Sequence, residues 1–239
     1  MTPRRTTSSP KHGWAPYLLS CLEQKPLADQ YDLGQDFYAP YNQPLIQVPL
    51  SVFLCPSTPG TREIEIIDQN NVATGAVGAA GDYFAPNSVD AYWWPSPRRA
   101  AAADTTNCTA LRDNGFQKLA NITDGLSNTL LVAEFAGRPD HWIKGRKQAT
   151  NAGLQWRNWW GPWASYQSSI FKTWSADGQN PGGPCTVNCN NNWGIYAFHT
   201  GGANILLCDG SVHFVSESLD RDVFAGLVTK AGGEVLTVE

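Results

Sequence analysis

An Asp-Gly pair between two short apolar runs most constrains the fold of this 239-residue chain. Asp209-Gly210 lies between ANILLC and SVHFVS. Asp-Gly favours a two-residue hairpin turn, because that turn needs a positive φ at both central residues. With this turn, alternate side chains of the two strands share one face, which we expect to pack on the core. The residues on that face are Ile205, Leu207, Val212 and Phe214.

Periodicity elsewhere predicts an α+β fold with an antiparallel sheet built on this hairpin. An N-terminal helix is expected from Trp14 to Gln24, and a short C-terminal helix is expected after a cap at Ser218 or Asp220. The further strands are expected at 63–68, 81–84, 129–135 and 234–238.

The length of the chain suits one domain with a sizeable core. We expect a disordered basic tail at 1–12 and a single domain at 13–239, with tryptophan-rich insertions at about 85–106 and 138–192. A net charge of −4 and only 16% charged residues argue against a nucleic-acid partner. The sequence has no apolar run of the roughly 20 residues needed for a transmembrane helix, and its first residues are not those of a secretory signal.

His199 precedes a predicted bend at Gly201-Gly202, where the backbone can approach another segment closely. Together with Asp209, this histidine suits metal binding or general acid–base catalysis. The alternative is a structural role, in which Asp209 and Gly210 form the turn and His199 hydrogen bonds to the backbone. The sequence leaves both interpretations open.

Several segments, in order, resemble a large planctomycete family of unknown function with a prepilin-type N-terminus and a pseudopilin-like body. They are FLCPS at 53–57, ITDGLSNTLLVAE at 122–134, CTVNCNNNWGIYAFHTGGANILLCDGSVHFVS at 185–216 and LVTKAGGEV at 227–235. The nine residues between the histidine of the third segment and its Asp-Gly pair resemble the family's His-x(9)-Asp-Gly signature. The resemblance marks as signature positions Asp124, Gly125, His199, Gly201, Gly202, Asp209 and Gly210.

The resemblance implies a pseudopilin-like fold, a cell-envelope or extracellular location, and assembly with pilin or secretion proteins. Family members begin with a basic leader, a cleavage site and a long apolar helix, which this sequence lacks. We therefore expect this chain to be soluble, with export and pilin contacts belonging to a longer form. Several pseudopilins also hold calcium in a C-terminal loop through carboxylates and carbonyls, and oxygen ligands suit that hard cation. The carboxylates that could do so here are Asp124, Asp209, Asp220 and Asp222.

Six cysteines raise the question of disulfides. Cys185 and Cys189 lie in a stretch rich in Gly, Pro and Asn, and in an exported protein they favour a structural disulfide over a metal site. A zinc site would call for a second cysteine pair of similar spacing, which the sequence lacks. Cys108 is the other candidate for a disulfide, whereas Cys21 and Cys208 lie in apolar runs and are expected as buried thiols.

Three functions follow as expectations. The first is a non-enzymatic, pseudopilin-like surface or secretion protein that acts through protein or ligand contacts. The second is a small hydrolase of esters or lactones that uses His199 and Asp209, with or without a metal; a serine oxygen or a metal within about 3 Å of a His199 nitrogen would favour it. The third is a glycan- or solute-binding module with tryptophans lining one groove. Its candidates are Trp93, Trp94, Trp156, Trp159, Trp160 and Trp163.

Overall fold

A computed structural model describes residues 10–68, 72–89, 108–150, 161–165 and 168–233. Within these ranges the fold is α+β, as expected. The α-helices are α1 (Lys25–Ala28), α2 (Gln43–Ile46) and α3 (Arg221–Val228), and the 3-10 helices are Ala15–Leu22, Ser51–Phe53, Leu119–Asn121 and Leu126–Asn128. The strands are β1 (Glu63–Ile67), β2 (Ala73–Ala79), β3 (Tyr83–Val89), β4 (Leu130–Glu134), β5 (Trp142–Ile143), β6 (Arg146–Lys147), β7 (Ser168–Phe171), β8 (Gly202–Leu207) and β9 (Val212–Ser216).

The main sheet has five strands in the order β7-β3-β4-β8-β9. Its pairs are antiparallel except β3–β7, which is parallel. The expectation of a purely antiparallel sheet is therefore wrong at this edge. A chain can pair two strands in parallel when a long connection returns it to the start of the neighbouring strand, and here the connection runs from residue 90 to residue 167. Strands β1 and β2 form a separate antiparallel pair, as do β5 and β6.

The predicted hairpin is present as β8 and β9, but its turn has three residues rather than two. The Leu207 N–H donates to the Ser211 carbonyl at 2.9 Å, and the Gly210 N–H donates to the Leu207 carbonyl at 3.1 Å. Cys208, Asp209 and Gly210 thus form the loop. Gly210, at a φ of 91°, is the left-handed residue that a three-residue hairpin loop requires.

The longer turn shifts the strand register by one residue, so that the expected core face is only half correct. Ile205 and Leu207 are buried as predicted, but Val212 and Phe214 are 67% and 52% exposed. Val215 takes the inward position instead, opposite Ala203. Because side chains alternate along a strand, a one-residue shift moves them to the other face. The prediction of a core position is therefore wrong for Val212 and Phe214.

Helix α3 covers one face of the sheet. Phe224 and Leu227 of α3 pack with Ile205, Leu207 and Val215 in one buried cluster. The helix is the short C-terminal one that the sequence predicts, and Asp220 caps it. The opposite sheet face faces the N-terminal part of the chain and is only partly covered.

The N-terminal helical segment is a 3-10 helix over Ala15–Leu22 rather than an α-helix from residue 14 to residue 24. Trp14 and Leu19 are buried, and Leu18 and Leu22 are partly exposed. None of the helices in the described ranges is long and apolar enough to cross a membrane.

Parts of the predicted tail and insertions lie outside the described residues, namely 1–9, 90–107, 151–160 and 166–167. His12, which we predicted in the disordered tail, is buried and contacts the Tyr31 hydroxyl at 3.0 Å. Residues 85–89, expected in the first insertion, continue strand β3. The second insertion contains β5, β6 and β7, and thus contributes a strand to the main sheet. The predicted strand at 234–238 also lies outside the described residues.

The Cys185–Cys189 disulfide is confirmed. Cys108, the other candidate for a disulfide, is a buried thiol outside this disulfide, and its Sγ contacts the Asn87 carbonyl oxygen at 3.7 Å. The predicted burial of Cys21 is wrong, because this thiol is exposed. Cys208 is half-buried, and desolvation raises the pKa of its thiol to about 12.

Candidate functional site

Three segments that are far apart in the sequence meet at His199. Cys55 follows the 3-10 helix Ser51–Phe53, Glu134 ends strand β4, and His199 stands just before β8. One sulfur, one carboxylate oxygen and one imidazole nitrogen from these residues all lie within 4.8 Å of one another. Across the described part of the chain, this is the one group of three potential metal ligands. We call it the Cys–Glu–His cluster.

The Nε2 atom of His199 is the centre of the cluster. It lies 3.0 Å from Glu134 Oε1, 3.5 Å from Cys55 Sγ and 3.2 Å from Asn204 Nδ2. On the other side of the ring, His199 Nδ1 lies 3.2 Å from Ser57 Oγ. Both nitrogens of the imidazole ring therefore face polar side chains.

Burial sets the electrostatics of the cluster. Cys55 and Glu134 are only 2% and 1% exposed, whereas the His199 side chain is 24% exposed. Desolvation raises the pKa of the Cys55 thiol, and the negative charge of Glu134 raises it further. Burial, with Cys55 and Glu134 nearby, also raises the pKa of Tyr83 to about 12. The thiol is therefore protonated at neutral pH in the absence of a bound cation.

Asp82 positions the backbone that carries Cys55. Its carboxylate accepts hydrogen bonds from the Cys55 N–H at 3.0 Å and from the Gly137 N–H at 3.3 Å. Both carboxylate oxygens also bind the Arg62 guanidinium, at 2.7 and 2.6 Å. Because Asp82 lies just before β3 and Gly137 just after β4, this one fully buried side chain ties the cysteine loop to the two central strands.

Asn188 holds the backbone around His199. Its Nδ2 donates to the Gly202 carbonyl at 3.0 Å and to Glu217 Oε1 at 2.9 Å, and it lies 3.5 Å from the His199 carbonyl. Its Oδ1 accepts from the Ala197 N–H at 2.8 Å. Since Asn188 lies inside the short loop closed by the disulfide, that loop braces the segment that presents the histidine.

Glu134, not Asp209, is the carboxylate that contacts His199. Asp209 Oδ1 instead accepts hydrogen bonds from the Ser211 N–H at 2.9 Å and the Ser211 hydroxyl at 2.6 Å. Gly210 completes the turn, and Gly201 and Gly202 provide the bend after His199. In the structure Asp209 thus lies in the hairpin turn and contacts Ser211, whereas the carboxylate beside His199 is that of Glu134 and not the predicted Asp209.

Three of the four aspartates proposed for calcium, Asp124, Asp209 and Asp220, accept hydrogen bonds from backbone N–H groups, each in its own turn or helix cap, and the fourth, Asp222, donates its N–H to Asp220. Asp124 accepts from the backbone of Gly232 and Gly233, next to Gly125 in its turn. Asp220 Oδ1 accepts from the N–H groups of Asp222 and Val223 as the cap of α3. Asp209 lies in the hairpin turn, away from both. Within the described residues, no three of these aspartates meet at one site.

Of the six tryptophans proposed for glycan binding, Trp163 is the one within the described residues. Its ring is completely buried and stacks on Phe53 with 5.8 Å between ring centroids, while its Nε1 donates to the Val48 carbonyl. Trp163 is thus a core residue and is not accessible to a sugar. The candidates outside the described residues are Trp93, Trp94, Trp156, Trp159 and Trp160.

An open apolar groove of about 800 Å³ leads to the Cys–Glu–His cluster. It lies between the Ala15–Leu22 helix and the sheet face opposite α3, with Tyr83, Glu134 and Asn204 as its polar members. His199 lines a second, smaller cavity of about 350 Å³. The apolar residues that line the large groove are Trp14, Leu18, Leu22, Val52, Phe53, Leu111, Leu131, Val132, Ile205, Leu206 and Val212.

The fold and this site define an α+β protein with a mixed sheet, an open apolar groove and a buried Cys–Glu–His cluster. The chain belongs to the family described as "Protein of unknown function (DUF1559)", whose model matches residues 2–222. No curated protein and no solved structure matches the chain. The match confirms the family of unknown function expected from the sequence. The pseudopilin-like fold and the C-terminal signature stay predictions.

Sequence reasoning identified His199 but missed the residues around it. Cys55 and Ser57 stand in FLCPS, Glu134 ends LLVAE, and Asn204 follows HTGGA. Each of these segments contributed to the family resemblance. Their place in the motifs of that family was the signal that could have pointed to these residues. Asp82 had no such signal, since its role depends on how far-apart segments pack.

Proposed function

We propose that this protein is a non-enzymatic, pseudopilin-like binding protein whose groove takes an apolar helix of a partner protein. The observation that carries the proposal is the open, apolar sheet face opposite α3. Leu131 and Leu206 are partly exposed there, and Val212 and Phe214 are largely exposed. Exposed apolar surface of this kind, rimmed by polar residues, is typical of interaction sites.

The strand register creates this surface. If the hairpin had the two-residue turn, Val212 and Phe214 would pack under α3 with Ile205 and Leu207. The three-residue turn instead places them beside Leu206 on the side of the groove. The fold therefore leaves two large apolar side chains on an open face. Burial of these side chains by a partner would be favourable, whereas in the isolated chain they stay in contact with water.

A helix suits the groove better than an extended peptide or a small polar ligand. One wall is itself helical and lines the groove with Leu18 and Leu22, and the sheet forms the floor. Helix-in-groove recognition uses apolar side chains about one turn apart on the bound helix. The long apolar helix of prepilin-type proteins has this character, and the Cys185–Cys189 disulfide suits the oxidising cell envelope where such proteins assemble.

We expect Val212→Glu to weaken binding of an apolar helix about tenfold or more, because it places a charge on the groove floor. The probe is a fluorescein-labelled 20-residue peptide of Leu, Ala and Lys with leucine at i, i+3, i+4 and i+7, followed by anisotropy. The matched control is Val72→Glu, since Val72 is 59% exposed and does not line the groove.

Equal affinities of the two variants would contradict the proposal. Dodecanoate serves as the second ligand in the same titration. Binding of dodecanoate with no binding of the peptide would identify a pocket for acyl chains and would also contradict the helix as occupant.

A second candidate function, hydrolysis of small esters, is favoured by one specific observation. Ser57 Oγ, the His199 ring and Glu134 form a continuous hydrogen-bonded series, with separations of 3.2 Å and 3.0 Å. In this candidate, Ser57 Oγ attacks the ester carbonyl carbon while His199 Nδ1 takes its proton and passes it to the leaving alkoxide. Water then hydrolyses the acyl-serine, with the same histidine as base. Glu134 orients the imidazole, as the carboxylate beside His199 in place of the predicted Asp209.

For this candidate we expect slow release of nitrophenol from p-nitrophenyl butyrate by the wild-type protein. Ser57→Ala and His199→Ala should each reduce kcat/KM by at least about 100-fold, because each removes one member of the relay. Asp209→Asn is the control and should leave kcat/KM unchanged. A wild-type rate equal to that of Ser57→Ala would contradict the hydrolase, and the binding function would then be the one remaining candidate.

A further inference from the structure

We propose that Cys55, Glu134 and His199 bind a single Zn²⁺ ion. This site uses residues different from the calcium candidates, and it goes beyond the binding function of the groove. Three features support the site: the crowding around His199 Nε2, the distances between the ligand atoms, and the hydrogen bonds that hold each ligand from behind.

The first observation is that Nε2 of His199 faces more partners than it can satisfy. A ring nitrogen carries either one hydrogen or one lone pair. Yet a carboxylate oxygen, a thiol sulfur and an amide nitrogen surround it, at 3.0, 3.5 and 3.2 Å. A cation placed between the sulfur, the oxygen and the nitrogen would satisfy all three ligand atoms at once.

The second observation is the spacing of these atoms. Tetrahedral zinc with Zn–S of about 2.3 Å and Zn–N of about 2.0 Å sets its sulfur and nitrogen ligands roughly 3.5 Å apart. Cys55 Sγ and His199 Nε2 are 3.5 Å apart. The separation of 3.0 Å between Nε2 and Glu134 Oε1 is a few tenths of an ångström shorter than a tetrahedral edge, so a small outward shift of Glu134 accommodates the ion.

The third observation is a complete set of supporting hydrogen bonds. Metal-binding histidines usually donate their other ring N–H to an oxygen, and His199 Nδ1 faces Ser57 Oγ at 3.2 Å. Glu134 Oε2, the carboxylate oxygen away from the histidine, accepts from the Asn204 N–H at 2.6 Å. The Cys55 N–H is fixed by Asp82. Each ligand is thus oriented before any ion binds.

The ligand set selects zinc over calcium. Calcium prefers six to eight oxygen ligands, whereas a thiolate and an imidazole suit zinc. When Cys55 binds as the thiolate, the two negative charges of Cys55 and Glu134 neutralise the ion inside the buried site. A fourth, exchangeable ligand such as water would complete the tetrahedron from the side of the open groove, which Glu134 lines.

The test is titration of the EDTA-treated, disulfide-intact protein with Zn²⁺ against a competing chelator, and with Co²⁺ as a spectroscopic probe. We expect one Zn²⁺ per chain and a sulfur-to-cobalt charge-transfer band. His199→Ala should weaken Zn²⁺ binding by at least about 100-fold, more than the loss of a supporting residue usually does. Cys55→Ser exchanges the sulfur for oxygen with little change in side-chain shape and should remove the charge-transfer band.

The matched controls are His213→Ala and Cys108→Ser, which change a histidine and a buried thiol outside the cluster. Both variants should bind Zn²⁺ with the affinity of the wild type. Cys108→Ser should also keep the sulfur-to-cobalt band. Failure of the wild type to bind Zn²⁺, or an unchanged cobalt band in Cys55→Ser, overturns the proposal. Peptide binding to the groove is a separate readout, so loss of one proposal leaves the other in place.

Discussion

Asp82→Ala is expected to lower the free energy of unfolding by about 3–5 kcal/mol. The substitution removes a fully buried carboxylate that pairs with the largely buried guanidinium of Arg62. It leaves that positive charge without its ion-pair partner and removes the acceptor of the Cys55 and Gly137 N–H groups. Loss of one member of a buried charge pair is costly because the remaining charge stays desolvated. Urea denaturation followed by tryptophan fluorescence measures the change.

The matched control for this prediction is Asp29→Ala. Asp29 also forms an ion pair, with Lys25 at 2.7 Å, but both side chains are exposed. Such a pair contributes only about 0.3–0.5 kcal/mol. If the two variants lost the same stability, Asp82 would not be the organising residue that its contacts indicate.

The second large effect is expected for Gly202→Ala, which should lose about 3 kcal/mol of stability. Gly202 begins β8, and an added Cβ would lie 2.1 Å from the Val215 carbonyl oxygen and 2.7 Å from the Phe214 ring. Neither the backbone carbonyl nor the paired strand can move away without disturbing the β8–β9 ladder. Thermal unfolding by circular dichroism measures the loss.

The adjacent Gly201 provides the comparison. Its φ is +83°, but the space around it is open, so Gly201→Ala carries only the conformational penalty of about 1–2 kcal/mol. Glycine is therefore needed at the two positions for different reasons. Gly201 adopts a positive φ, and Gly202 lies too close to the β9 backbone for a side chain. A larger loss in Gly201→Ala than in Gly202→Ala would contradict this assignment.

Local signals predicted the elements of this fold better than their arrangement. The hairpin, the disulfide and the C-terminal helix were identified because turn residues, paired cysteines and a capped amphipathic pattern act over a few neighbours. The register of the hairpin was missed by one residue, because Asp-Gly suits both a two-residue turn and the second and third positions of a three-residue loop. That single residue changed which side chains of β9 are buried.

The candidate site was predicted through His199 alone. The sequence paired it with Asp209, the nearest carboxylate of the same motif, whereas the structure supplies Glu134 from the neighbouring strand. Cys55 arrives from a loop more than a hundred positions earlier in the chain. Such contacts depend on the pairing of β4 with β8 and on the Asp82 hydrogen bonds, and one sequence does not reveal which distant segments pair.

The pairing of β4 with β8 also determines when this protein can fold. Strand β4 ends at Glu134 and β8 begins at Gly202, so the centre of the sheet closes only after the whole intervening segment has been synthesised. Strand β7 must likewise return to β3 from far along the chain. Proteins dominated by such distant pairings fold slowly, because the entropy of loop closure is lost before the contacts between the strands stabilise the chain. Until β8 emerges from the ribosome, the apolar strand β4 has an unpaired edge, and the nascent chain is most prone to aggregation in that interval.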